Sequence, residues 1–143
     1  MNTISQRPAR VFAMQLLYAM DITASPAGDC LQGVLDSQEI KDDMKKYGMS
    51  LVDQVQEHRK ELDEEIDKLA IGWDLSRMAK LDRLITEIAM TELLYQKEIP
   101  VKVALKEAVQ IANKYSTEES GRFVNGLLNQ FARNRGMLSN QAE

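Results

Sequence analysis

Arg7, Arg10, Arg122, Arg133 and Arg135 are the side chains of this sequence best placed to do chemistry, because they lie in two stretches that contain no acid. Residues 1–20 carry only Arg7 and Arg10 as charged side chains, and residues 120–142 carry only the other three. Arginines without carboxylate neighbours can contact phosphates or stack on bases, and an exposed aromatic ring beside them can stack on an unpaired base. Tyr18 and Phe123 are the candidates for that ring. Elsewhere the balance is reversed: between residues 21 and 119, 13 bases face 21 acids, and the whole chain carries a net charge of -4. A chain that repels phosphate on average binds it only if its two basic ends meet on one face. The alternative is that acids are scarce in two short segments by chance.

Other chemistries find little support. Glu61, Asp63, Glu64, Glu65 and Asp67 form an acidic run, but carboxylates at successive helix positions point in different directions, and a divalent cation needs several oxygens that converge. A solvated helix face is the better reading, with Glu64 and Lys68 paired at i,i+4. His58 is the one histidine and Cys30 the one cysteine, so a zinc ligand set and an internal disulfide are both excluded, and a reducing compartment is expected. No glycine-rich phosphate loop, nucleophile elbow or spaced Cys/His pair is present. The expectation is a binding protein with no catalytic residues, no metal and no cofactor. No run of about 18 apolar residues could span a membrane. The acid-free start resembles a targeting peptide only superficially, because Gln15 interrupts its apolar part and Val11, Met14, Leu17 and Tyr18 form one helical stripe.

The elements that must position these residues are helices. The chain has 143 residues, 44% apolar and 28% charged, with only 7 glycines and 3 prolines and no alternating β-branched run, which points to one all-α domain. A first helix is expected over residues 8–20, with Pro8 in its first turn and Ser5 as a cap. Residues 23–29 read as a loop through Ser25, Pro26 and Gly28, residues 30–37 as a short helix, and residues 41–48 are weakly patterned. From residue 50, Val52, Val55, Arg59, Leu62, Ile66 and Leu69 recur at spacings of three and four, giving a helix that ends near Gly72. Arg59 can lay its stem on the core and reach water or an acidic partner with its head. Three further stripes follow: Leu81, Leu84, Ile85, Ile88 and Tyr95; then Val101, Ala104, Leu105, Ala108, Ala112 and Tyr115; then Val124, Leu127, Leu128 and Phe131. Pro100 sits at the first turn of the second of these, and Ser116 with Glu119 reads as a capping box opening the last.

These residues also resemble a known family. Arg7-Pro8-Ala9-Arg10 with Gln15-Leu16-Leu17-Tyr18, the run from Gly72-Trp73-Asp74 through Arg77 to Leu81-Asp82-Arg83, Glu92-Leu93-Leu94-Tyr95 followed by Ile99-Pro100-Val101-Lys102-Val103, Asn113-Lys114-Tyr115, and Gly121-Arg122-Phe123-Val124-Asn125-Gly126-Leu127-Leu128 are similar in order and spacing to NusB-type antitermination factors. Residues 21–48 contribute nothing to the likeness. The resemblance implies six to seven helices in two packed subdomains, about 5–70 and about 74–135. It further implies a cytoplasmic protein that joins the small-subunit ribosomal protein acting as NusE, binds the boxA element of nascent RNA, and delivers it to the transcription elongation complex in ribosomal RNA synthesis. It places Arg7, Arg10, Gln15, Tyr18, Arg122, Phe123 and Asn125 at the RNA and Asp82 at the NusE contact.

Each of these residues has a plainer alternative. Phe123 and Tyr18 complete buried stripes equally well, Asn125-Gly126 suits helix packing, and Asp82 suits a surface pair with Lys80 or Arg83. Many family members open with a denser arginine run. Here Arg7 and Arg10 stand alone, implying a shallower salt dependence and a greater need for NusE. Monomer and homodimer remain equally compatible. So do two other roles: the RNA-binding module found at the front of some ribosomal RNA methyltransferases, against which the absence of a cofactor-binding half speaks, and a helical scaffold that binds protein alone.

Overall fold

The computed structural model describes residues 6–70 and 78–138. Six helices account for most of them: α1 (Arg7–Thr23), α2 (Ala27–Asp36), α3 (Asp42–Leu69), α4 (Lys80–Tyr95), α5 (Val101–Tyr115) and α6 (Glu118–Asn134). The all-α expectation holds. The short second helix begins three residues earlier than its sequence pattern suggested, and the weakly patterned residues 42–48 are the opening turns of α3. Ser5, the expected cap of α1, and the motif residues 72–77 lie outside the described residues. The residue before α1 is Gln6, whose side chain makes no cap bond.

α4 lies at the centre, in contact with α1, α3, α5 and α6. Every residue from Leu84 to Leu93 is buried, which the apolar stripe alone did not foretell. A helix wrapped on all sides has no polar face to give to water, so its polar residues must find partners inside. Thr86 and Thr91 donate to the carbonyls one turn back, Asp82 and Glu87, at 2.7 and 2.8 Å. Glu87 and Glu92 instead meet arginines from neighbouring helices.

Two polar junctions follow, each joining α1, α3 and α4. In the first, Arg10 of α1 donates through Nε to both oxygens of Glu92 at 2.9 Å, and Tyr47 of α3 donates its hydroxyl to the same carboxylate. In the second, Arg59 of α3 bonds Asp21 of α1 at 2.8 and 2.9 Å and Glu87 of α4 at 3.0 Å, while Lys80 reaches Asp21 at 2.9 Å. Arg59 therefore does find acidic partners. α1 and α3 approach closely at Gly48, where a Cβ would fall 2.6 Å from the Phe12 ring and 2.9 Å from the Ala9 carbonyl oxygen. Only glycine permits that contact.

α3 and α4 form an antiparallel hairpin. Arg83 bonds Asp63 and Asp67 at 3.1 and 3.0 Å, and Gln96 bonds Gln54 at 2.7 Å farther along. In the acidic run of α3, Lys68 pairs with Glu65 at 3.9 Å, in place of the expected Glu64. α6 is capped one residue later than expected: Thr117, not Ser116, accepts from the Ser120 N–H at 2.9 Å. Ser116 instead bonds the Ser120 hydroxyl at 2.9 Å.

Candidate nucleic-acid interface

α5 and α6 pack side by side and leave an open groove between their outer faces. Lys102, Lys106, Gln110 and Asn113 recur at spacings of four, four and three, so they line one edge of α5. Asn125 and Asn129 face them from α6, and Leu105 and Val109 form an apolar floor. No carboxylate lines the groove among the described residues. In a chain of net charge -4, a groove with two lysines, four amides and no acid is locally positive. Its chemistry suits a ligand with a phosphate backbone and flat apolar bases: charge for the first, amide donors and acceptors for base edges, aliphatic surface for the second.

Arg7 joins this groove from the other end of the chain. It is the first residue of α1, its side chain is 42% exposed, and it donates to both oxygens of Glu107 at 2.8 Å and to the amide oxygen of Gln110. The hydrogen bonds and charge of Arg7 hold the Glu107 carboxyl below its ordinary range, and Glu107 in turn raises Arg7. Because Gln110 is itself a groove residue, the basic start of α1 abuts the groove formed by α5 and α6. Arg122, exposed and without an ion pair among the described residues, lies one turn before Asn125 and Gly126 on the outer face of α6. Tyr18 is 40% exposed and sits three turns along α1 on the same stripe as Arg7, as a stacking residue requires.

Three expectations are corrected. Arg10 is 2% exposed and bound to Glu92, with Glu107 at 3.7 Å, so it holds helices together and presents nothing to a phosphate. Phe123 is 7% exposed and belongs to the core, because the buried face of α6 is wide enough to take Phe123 together with Val124, Leu127, Leu128 and Phe131. Asp82 is also interior, 4% exposed. It accepts from the Ser120 hydroxyl at 2.8 Å and pairs with neither Lys80 nor Arg83, so it tethers α6 to α4. Gln15 is half-buried and accepts from Gln38 in a separate groove lined by α1 and α2. Asn125 is exposed as expected, but Gly126 has open space around it and mediates no helix packing.

Lys102, Lys106, Gln110, Asn113 and Asn129 were not among the site residues expected from the sequence, although Lys102 and Asn113 fall in segments that carry the family resemblance. Their helical spacing was visible, but a polar stripe is the ordinary outer face of any amphipathic helix. What distinguishes this one is the second amide-bearing helix facing it.

Comparisons with known proteins place the chain among its relatives. The NusB family profile matches residues 7–133. The transcription antitermination protein NusB of Trichlorobacter lovleyi is 38% identical over 87% of this chain and 88% of its own length. A chain in a crystal structure of a plectonemic RNA supercoil superposes with a TM-score of 0.84 at 28% identity, covering 97% of this chain and all of the other. A chain from a crystal structure of the antitermination factors NusB and NusE in complex with double-stranded RNA gives 0.79 at 27% identity, covering 90% of this chain and 96% of its own. With the profile running from the first residue of α1 to the last turn of α6, this chain belongs to the NusB family.

Proposed function

We propose that this chain is a transcription antitermination factor that acts in the cytoplasm by binding, not by turnover. It holds boxA RNA together with the small-subunit ribosomal protein acting as NusE and carries that RNA to the elongating polymerase on ribosomal RNA operons. The observation that carries the reading is the acid-free groove of α5 and α6, with Lys102, Lys106, Asn125 and Asn129 on its walls and Arg7 beside Gln110 at its margin. RNA lies along this groove, with Arg122 and Tyr18 as outlying contacts. NusE, a basic protein, is drawn to exposed acids such as Asp53, Glu57, Glu61 and Glu64 of α3, because Asp82 is interior.

Titration of labelled boxA RNA with and without NusE tests the reading. Binding that tightens when NusE is added supports it, and a protein that binds NusE but no RNA is a protein-only scaffold.

A further inference from the structure

Gly126 is the midpoint of α6, eight residues from its first residue and eight from its last. Glycine is among the poorest residues for a helix interior, and here the fold makes no use of it: among the described residues, no atom beyond its two chain neighbours and the helix's own backbone comes within 4 Å of where its Cβ would stand. Gly48, packed onto Phe12, is the contrasting case. The surroundings of Gly126 are polar. Arg122 precedes it by one turn, Asn125 adjoins it and Asn129 follows by three residues, so all share the outward face of α6. Asn129 donates its side-chain amide to the Asn125 carbonyl oxygen at 2.8 Å and to the Asn125 side-chain oxygen at 2.9 Å. That occupies the Asn125 acceptor, fixes the pair, and leaves the Asn125 NH2 group as a donor without a protein partner among the described residues.

A bare stretch of helix backbone bordered by a guanidinium and amide donors is suited to a polyanion that must come closer than a side chain would allow. We infer that the RNA strand crosses α6 at Gly126, with its sugar-phosphate backbone against the helix and Arg122 and Asn125 beside it. This rests on the RNA-binding reading above and adds the place and closeness of the contact. Gly33 of α2 supplies a control. It too has nothing within 4 Å, but its groove is lined by Gln15, Asp29 and Cys30 with no basic side chain.

The test uses the full chain with and without NusE, comparing Gly126→Ala and Gly33→Ala for melting temperature, boxA RNA affinity and NusE affinity in the absence of RNA. Both variants are expected to melt a few degrees higher, because alanine is the better helix former. Gly126→Ala alone should bind RNA about tenfold more weakly, the scale of losing one or two polar contacts, with NusE affinity unchanged. Wild-type affinity for RNA in Gly126→Ala would overturn the inference and leave the RNA reading intact. A lowered melting temperature, or a loss of NusE binding of equal size, would overturn it in favour of a packing role or a protein contact. Failure of the wild-type protein to bind RNA would remove both readings together.

Discussion

The guanidinium of Arg10 and the ring of Phe123 are chemically suited to RNA and physically unable to reach it. Removing Arg10 leaves Glu92 as a buried carboxylate with only Tyr47 to answer it. Arg10→Ala should therefore lower stability by about 3–5 kcal/mol, the usual result of breaking one partner out of a buried pair, while the protein that remains folded binds RNA almost as before. Denaturant unfolding together with RNA titration below the transition checks this, and a stable variant that had lost RNA affinity would return Arg10 to the interface. Phe123→Ala should behave alike, losing about 3–5 kcal/mol by leaving a cavity beneath α6. Arg7 belongs to the opposite class. Its side chain is substantially exposed, but its charge is already matched by Glu107, so Arg7→Ala should reduce the salt slope of RNA binding by no more than about 0.7, the value of one phosphate contact on a single strand.

At the level of elements, helix ends and helix junctions make the testable claims. Thr117 caps α6, and Ser120 links that cap to Asp82 of α4. Thr117→Ala should cost about 1 kcal/mol in thermal or denaturant unfolding, whereas Ser116→Ala, which removes no backbone cap, should cost less; the reverse order would restore the capping assignment at Ser116. Glu87 gives α4 a pH dependence. Burial, reinforced by the Asp63 carboxylate and opposed by Arg59, pushes its carboxyl from an ordinary 4.5 up to about 8. The folded state thus favours the protonated form more than the unfolded state does. The stability this contributes is complete below the unfolded value and is lost as pH rises through about 8. Glu87→Gln, neutral throughout, should escape that loss, so variant and wild type should diverge as pH rises from about 4.5 to about 8, by a few kcal/mol at most. Parallel stability curves would show that Glu87 is ionised without penalty. Asp21 has the opposite sense: burial raises it, but the bonds from Arg59 and Lys80 outweigh burial and hold it low, so its contribution is lost as pH falls through its folded value.

How much of these elements the sequence revealed depended on how their contacts are made. α5, α6 and most of α1 were legible because aliphatic residues at helical spacing mark their buried faces. The opening of α3 was not, because its contacts include a glycine against α1, Gly48, and a tyrosine hydrogen-bonded to α4, Tyr47, where the periodic signal expects aliphatic side chains. The full burial of α4 was hidden for a related reason: Glu87, Glu92 and Asp82 look like surface acids until Arg59, Arg10 and Ser120 arrive from distant parts of the chain. The site was legible in type and only partly in membership. Arg7, Tyr18, Arg122 and Asn125 are exposed as an interface requires, while the lysines of α5 gain significance only from the helix beside them.

For the molecule as a whole, the uneven distribution of charge has a spatial consequence. The acid-free start of α1 meets α5 through Arg7, Glu107 and Gln110, and α5 shares its groove with α6, which carries no acid after Glu119, so the two ends of the chain adjoin one locally positive surface. Most of the acidic excess lies elsewhere, on α3 above all, and is available to a basic protein partner at the same time as RNA occupies the groove. No helix among the described residues is long and apolar enough to cross a membrane. If RNA occupies the groove of α5 and α6, the salt dependence of boxA binding must change in Lys102→Ala/Lys106→Ala, measured with NusE present. Both lysines are exposed, so the variant should fold normally, bind RNA more weakly, and show a salt slope shallower by about 1.4, two single-strand phosphate contacts at roughly 0.7 each. A folded variant with wild-type affinity and an unchanged slope would mean that RNA binds elsewhere on the protein.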